Sequence, residues 1–574
     1  MQPIYDTVYH FLGTDQQFTI PIFQRKYDWD KEQCEQLFDD MIMIGQSSDE
    51  NHFLGSIVHL NDTYNIIPTY RVIDGQQRLT TITLLLSALA KFLKENDVED
   101  MAVTPEKLIN KYIINRDEEG DLKYKIKLNK EDNKTLHDVI DYTISDQKTI
   151  RSNPTESKTI RENYRYFYNR ITTDNAKILF DGFKKLHLII IRLNEETDNP
   201  QLIFESLNYK GLSLNNSDLI RNYVLMGLKP HEQDNIYENY WSEMEQLLKK
   251  VKGYTFDRFI KDYLTTKQNK IPVEKELYNE FKRYAQKFIR EQPSKDKFEN
   301  IRDLTKDIYK YFKYFEKFYA GEEKDDKLRL SFKNMYALGQ KVITPFFLHL
   351  YEDYEKELIT SLELLDIVNI TESYIFRRNI CGLSNQGLKT IFSEAYERLD
   401  KSNYFESYQM ILLEEGGERR FPNNTEFGNN FVKTSFYKKP GITKYALGKL
   451  ENYGHDKELT NIDDYSIEHI MPQKEELSEE WQKELGRDWK EIQEKYLHTI
   501  GNLTLTGYNE KLSYLPFQTK RDMENGFDDS NIRLNSYLAK LKNWNESQII
   551  KRASELRKEA QKIWPYPKVQ KRLR

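Results

Sequence analysis

Over the first hundred residues, apolar positions fall in short runs, "QFTIPIF" (Gln17 to Phe23), "FLGSIVHL" (Phe53 to Leu60) and "YRVID" (Tyr70 to Asp74). Between them lie stretches with helical spacing, "EQCEQLFDDMIMIG" and the segment from Leu79 through Leu93. This alternation predicts an α/β arrangement. From about Pro105 the texture changes to long segments rich in Lys, Glu, Leu and Tyr, such as "YFYNRITTDNAKILFDGFKKL" and "DLTKDIYKYFKYFEKFYAG". Their helical periodicity predicts a large helical middle. Within it, the branched run of "KLHLIIIRLNEE" predicts a strand that returns to the N-terminal sheet. The following "NPQLIFESLNYKGLSLNNSDLIRNYVL" reads as a helix, a Gly-centred loop and a second helix capped by Asn216 or Ser217. No repeat of fixed period interrupts this order.

Gly, Pro and Asn cluster in "LEEGGERRFPNNTEFGNN", which marks a boundary before a compact C-terminal module. The expected fold class is mixed, mainly α with α/β parts, divided as residues 1–225, 226–415 and 416–574. A chain of 574 residues can bury several cores, and 38% hydrophobic with 31% charged residues describes a folded protein with a heavily solvated surface. The net charge of -6 is small against 86 basic and 92 acidic residues, so nucleic-acid binding has to come from local patches. The tail from Lys551 to Arg574 is one such patch, and its Trp564 and Tyr566 suit base stacking as well as they suit a solvated last helix. The two cysteines, Cys34 and Cys381, form no Cys-x-x-Cys pair, which removes a disulfide framework and a cysteine zinc site. No signal-like start and no membrane-length apolar run is present, so a cytoplasmic location without a membrane partner is expected.

Two segments concentrate chemistry. In "YRVIDGQQRLTTITLLL", a strand ends at Asp74, Gly75 turns the chain, and a helix follows. Such a junction presents free N–H groups and a helix dipole to an anion, and Arg78 adds a fork suited to phosphate, so a nucleotide is a candidate ligand. Spacing alone equally permits a polar helix cap. In "YSIEHIMPQ", Glu468 and His469 end a short apolar run; "TIGNLTLTGYNEKLSYLPFQTKRD" then supplies Asn502, Asn509, Lys520 and Arg521. An acid and a histidine on one strand, an Asn on the return and an Asn entering a helix are parts of a one-metal phosphodiester site. Glu468 and Asn509 offer oxygen ligands to Mg²⁺ or Mn²⁺. His469 is placed to take a proton from water, Asn502 to orient it or its loop, and Lys520 and Arg521 to hold neighbouring phosphates. Read singly, each of these is an ordinary packed histidine or turn asparagine.

The pieces "IPIFQRKYDW", "FLGSIV", "VIDGQQRLTT" and "IFESLNYKGLSLNNSDLIRN" resemble the ParB/sulfiredoxin-like N-terminal domain of the GmrSD family. The pieces "IEHIMPQ", "GNLTLTGYNEKLS" and "PFQTKR" resemble that family's HNH-type (ββα-metal) nuclease domain. The resemblance implies a type IV restriction enzyme that cleaves modified foreign double-stranded DNA, coupled to nucleoside triphosphate hydrolysis in the N-terminal domain. It implies that Asp74, Gly75, Gln76, Gln77 and Arg78 form a nucleotide motif, with Gln24, Arg25, Tyr27 and Trp29 lining the same pocket. It further implies that His469 is the general base, Asn502 the middle Asn, Asn509 the helix ligand and Glu468 a metal ligand. Two departures stand out: a long spacer between His469 and Asn502, which the hairpin must tolerate as an insertion, and Asn in place of His at the third position, which weakens the case for zinc. Two rival functions remain open, a nucleotide-switched DNA-binding protein with an inactive nuclease module and a phosphotransferase on the same N-terminal fold. A homo-oligomer is compatible with any of them.

Overall fold

A computed structural model describes residues 2–569 apart from 49–50, 63–66, 151–156, 195–196, 209–214, 293–295, 456–457 and 509–511. The chain divides into two compact units, Met1–Leu247 with Lys275–Lys306, and Leu248–Glu274 with Asp307–Arg574.

The first unit is built on a mixed six-stranded sheet in the order β1-β6-β3-β4-β2-β5. The strands are β1 (Gln2–Thr7), β2 (Gln17–Thr19), β3 (His52–Asp62), β4 (Thr69–Asp74), β5 (Ile126–Lys127) and β6 (Leu186–Leu193). The branched run of the helical middle does return to the sheet: β6 pairs parallel with β3 and antiparallel with β1. β2 is shorter than its apolar run because Pro21 removes a ladder donor just past its end. The helix after β4 spans Gln76–Glu95 and starts three residues before the expected Leu79. Of the two candidate caps further on, neither serves; Asn215 caps the Asn216–Leu225 helix through its side chain.

The second unit is helical, with one small antiparallel pair, β7 (Ser466–His469) and β8 (Leu503–Thr506). The long spacer is accommodated between these strands as two short helices, Glu479–Leu485 and Trp489–Tyr496. Trp481, Phe517 and Trp544 are buried beneath them. The basic tail is anchored from inside. Trp564 stacks on Phe376 with ring centres 3.9 Å apart and donates to Tyr445 Oη at 2.8 Å. Its carbonyl accepts from Arg377 Nε at 2.8 Å. Of the two rings that suit base stacking, Trp564 is a core residue, and Tyr566 packs edge-on against Phe421.

Three histidines away from either candidate site tie stability to pH. Burial lowers His59, His137 and His349 to about 4 each, so the fold holds them neutral. Between that value and the ordinary histidine pKa of about 6.5 the unfolded chain binds more protons than the folded one. Stability is therefore fully present above that window and is lost as pH falls through it. Urea midpoints measured from pH 7.5 to 4.5 are expected to fall steadily, and a flat profile would contradict this account.

Candidate functional site

β4 ends at Asp74, and Gly75 takes the left-handed conformation (φ 99°) at the N-cap of the Gln76–Glu95 helix. A Cβ there would lie 2.9 Å from Ile57 Cγ1 and 3.0 Å from Ser56 O, so both the turn and the close approach require glycine. No side chain caps the helix, which disposes of the polar-cap reading. The companion segment is stitched to this turn. Gln24 Nε2 donates to Ile73 O at 2.8 Å, and Gln77 accepts from Asp28 N at 3.0 Å while donating to Lys26 O at 3.1 Å. Tyr27 Oη lies 2.7 Å from Thr81 Oγ1. Asn163 Nδ2 donates to Tyr27 Oη and to Trp29 O, at 3.0 and 2.7 Å.

The two sequence pieces thus lie together. The arginines expected to grip phosphates have protein partners here. Arg78 donates to Ser56 O and pairs with Asp74 at 3.3 Å, and Arg25 pairs with Asp28 at 2.8 Å. Asp218 and Arg221, from a quoted segment in which no site residue was singled out, belong to the same neighbourhood. Arg221 pairs with Asp218 at 2.7 Å and Glu245 at 2.6 Å and donates to Phe23 O at 3.0 Å. Gln76, buried beside Gln77, completes the set.

In the second unit Glu468 and His469 end β7, opposite Thr504 and Leu503 of β8. Both are buried, at 3% and 4% exposure. His469 Nε2 lies 3.1 Å from Nδ1 of His498, and Tyr437 packs against both rings. Burial, with positive charge on His498 and Lys520, lowers His469 to about 3, so it is neutral across the physiological range. His498, partly exposed, is lowered by the same burial effect and by Lys438.

Asn502 is fully buried and never meets the imidazole. Its Oδ1 accepts from Met471 N at 2.8 Å and Trp544 Nε1 at 3.1 Å, and its Nδ2 donates to Met471 O at 3.1 Å and Leu497 O at 2.9 Å. It is a positioning residue that ties the end of β7 to the start of β8, a correction to a catalytic role. Buried Arg552 braces the same turn, donating to Gly501 O at 2.9 Å and Leu503 O at 2.8 Å.

Lys520 and Arg521 also depart from expectation. Lys520 is completely buried, with Nζ 2.6 Å from Glu468 Oε1 and 2.9 Å from His469 O. Arg521 is engaged by its neighbour Asp522 at 2.5 and 2.7 Å and by Leu541 O. Neither offers a free charge to DNA in this conformation. The Lys520 ammonium also decides the metal question for the described residues. Glu468 is matched by an internal cation, Asn509 lies outside the described residues, and no group of three or more His, Cys, Asp or Glu is placed to hold a metal among those described. These donors do not fit a protein cage for Mg²⁺ or Mn²⁺.

The sequence reading missed His498 and Tyr437. The signal for His498 was its place four residues before Asn502 in a chain with only ten histidines. Tyr437 carried none, being one tyrosine of 39.

Among the described residues no helix is long and apolar enough to cross a membrane. No curated protein matches the chain. Residues 8–225 match the GmrSD restriction endonuclease N-terminal domain, and residues 421–559 match the GmrSD restriction endonuclease C-terminal domain. Both ends of that architecture are present in order and together span more than half of the sequence, so the chain belongs to the GmrSD restriction endonuclease family.

Proposed function

We propose that the chain is a DNA endonuclease that cleaves modified foreign DNA, such as phage DNA, under the control of a nucleoside triphosphate bound in its N-terminal domain. The observation that supports hydrolysis most directly is the His469–His498 contact of 3.1 Å at the end of β7, inside the matched C-terminal domain. His469 is neutral and so able to accept a proton from an attacking water. Its low proton affinity in the free protein rises when the negative scissile phosphate arrives beside it. The proton it gains is shared with His498, whose partial exposure lets it pass to solvent. Lys520 fixes the strand end by holding both the Glu468 carboxylate and the His469 carbonyl, and Asn502 fixes the facing turn. No step is assigned to a metal.

The test is digestion of base-modified phage DNA and plain DNA of the same sequence by the purified chain, with each nucleoside triphosphate in turn. Cleavage of the modified DNA alone, dependent on one nucleotide, is the expected result. Tight DNA binding with no cleavage under any condition would overturn the proposal in favour of a nucleotide-switched binding protein.

A further inference from the structure

The cavity beside Arg25, Tyr27, Gln76 and Gln77 measures only about 10 Å³, room for no more than a water. The side chains around it are spent on one another, as the Arg78–Asp74 and Arg25–Asp28 pairs show. A nucleotide does not fit there in this conformation. The same unit holds a cleft of about 480 Å³, lined by Phe23 and Ile73, the chain neighbours of Gln24 and Asp74. That volume lies within the range of about 300–1,000 Å³ usual for small-molecule sites.

The lining has two characters. Phe23, Ile73 and Leu228 are buried apolar side chains that give a floor for a flat ring. Arg71 of β4, Lys229 and Lys297 supply three cations against one lining carboxylate, Asp198. The loop carrying Lys229 is fixed: Gln233 Nε2 donates to Leu228 O at 2.9 Å, and Lys297 Nζ donates to Gly227 O at 3.1 Å. Gly227 has φ +80°, and a Cβ on it would lie 2.5 Å from Lys297 Nζ, so the loop packs tightly against that ammonium.

We infer that this cleft, and not the turn at Arg78, holds the nucleoside triphosphate, with the base on the apolar floor and the phosphates on Arg71, Lys229 and Lys297. The inference rests on the proposal that the N-terminal domain binds a nucleotide. Asp74–Arg78 then act as the scaffold of one cleft wall: Gln24 holds Ile73 O, and the two segments meet at that bond.

The test is calorimetric titration of ATP and of GTP into the full-length parent, K229A/K297A, R71Q and R78A. Lys229 and Lys297 are exposed, so their removal leaves the fold intact. The parent is expected to bind one of the two nucleotides. K229A/K297A and R71Q are each expected to raise Kd about tenfold or more, the loss usual for charge-assisted phosphate contacts, with a smaller loss in R78A. Parental affinity in K229A/K297A and R71Q together with lost binding in a folded R78A would overturn the inference and leave nucleotide binding standing. A parent that binds neither ATP nor GTP would overturn the nucleotide proposal itself.

Discussion

His469→Ala is expected to slow DNA cleavage by about a hundredfold or more, the usual cost of losing a general base, while the chain still folds and still binds DNA. The expectation follows from position. His469 is the buried member of the His469–His498 pair, and no backbone or strand-pairing bond depends on its ring. Its carbonyl, which receives Lys520, survives the change. Nucleotide turnover, assigned to the other unit, should continue. Single-turnover cleavage, DNA affinity and a melting curve on the same preparation measure the three quantities. Cleavage near the parental rate would remove His469 from the chemistry.

Glu468→Ala is expected to act on stability first, lowering it by about 3–5 kcal/mol, the range for stripping one partner from a buried ion pair. Lys520 has no exposure and Glu468 has 3%, so the variant leaves an ammonium in the interior with only the His469 carbonyl beside it. Burial already pushes the Lys520 pKa down, and loss of Glu468 removes the charge that opposes this. Replacing both partners with apolar residues, E468M with K520M, should recover most of the lost stability because no uncompensated charge remains. Urea unfolding of the three variants checks the order. A Glu468→Ala protein as stable as the parent would show that the pair is not the internal counter-charge described here.

Much of this was legible in the sequence because it lives in local pattern. The branched run of β6, the Asp74-Gly75 turn and the Glu468-His469 strand end are fixed by period-2 alternation, by a positive φ that only glycine takes easily, and by a proline just beyond. What was not legible depends on long-range pairing. That Lys520 turns inward to Glu468 across 52 residues cannot be read from "FQTKR", where a lysine next to an arginine looks like a surface cation. Asn502 resembles a catalytic amide until its four bonds to backbone and Trp544 are seen. β1 and β5 escaped notice because six and two residues carry too little periodicity to stand out. The segment with Asn509 lies outside the described residues.

The central claim is that His469 and His498 act as one hydrolytic unit. A double-mutant cycle on single-turnover cleavage of modified DNA, with His469→Ala, His498→Ala and the combined variant, tests it most directly. Groups that act together lose their effect together, so the combined variant should be no slower than His469→Ala alone. Losses that multiply, or a His498→Ala enzyme that cleaves at the parental rate, would contradict the claim.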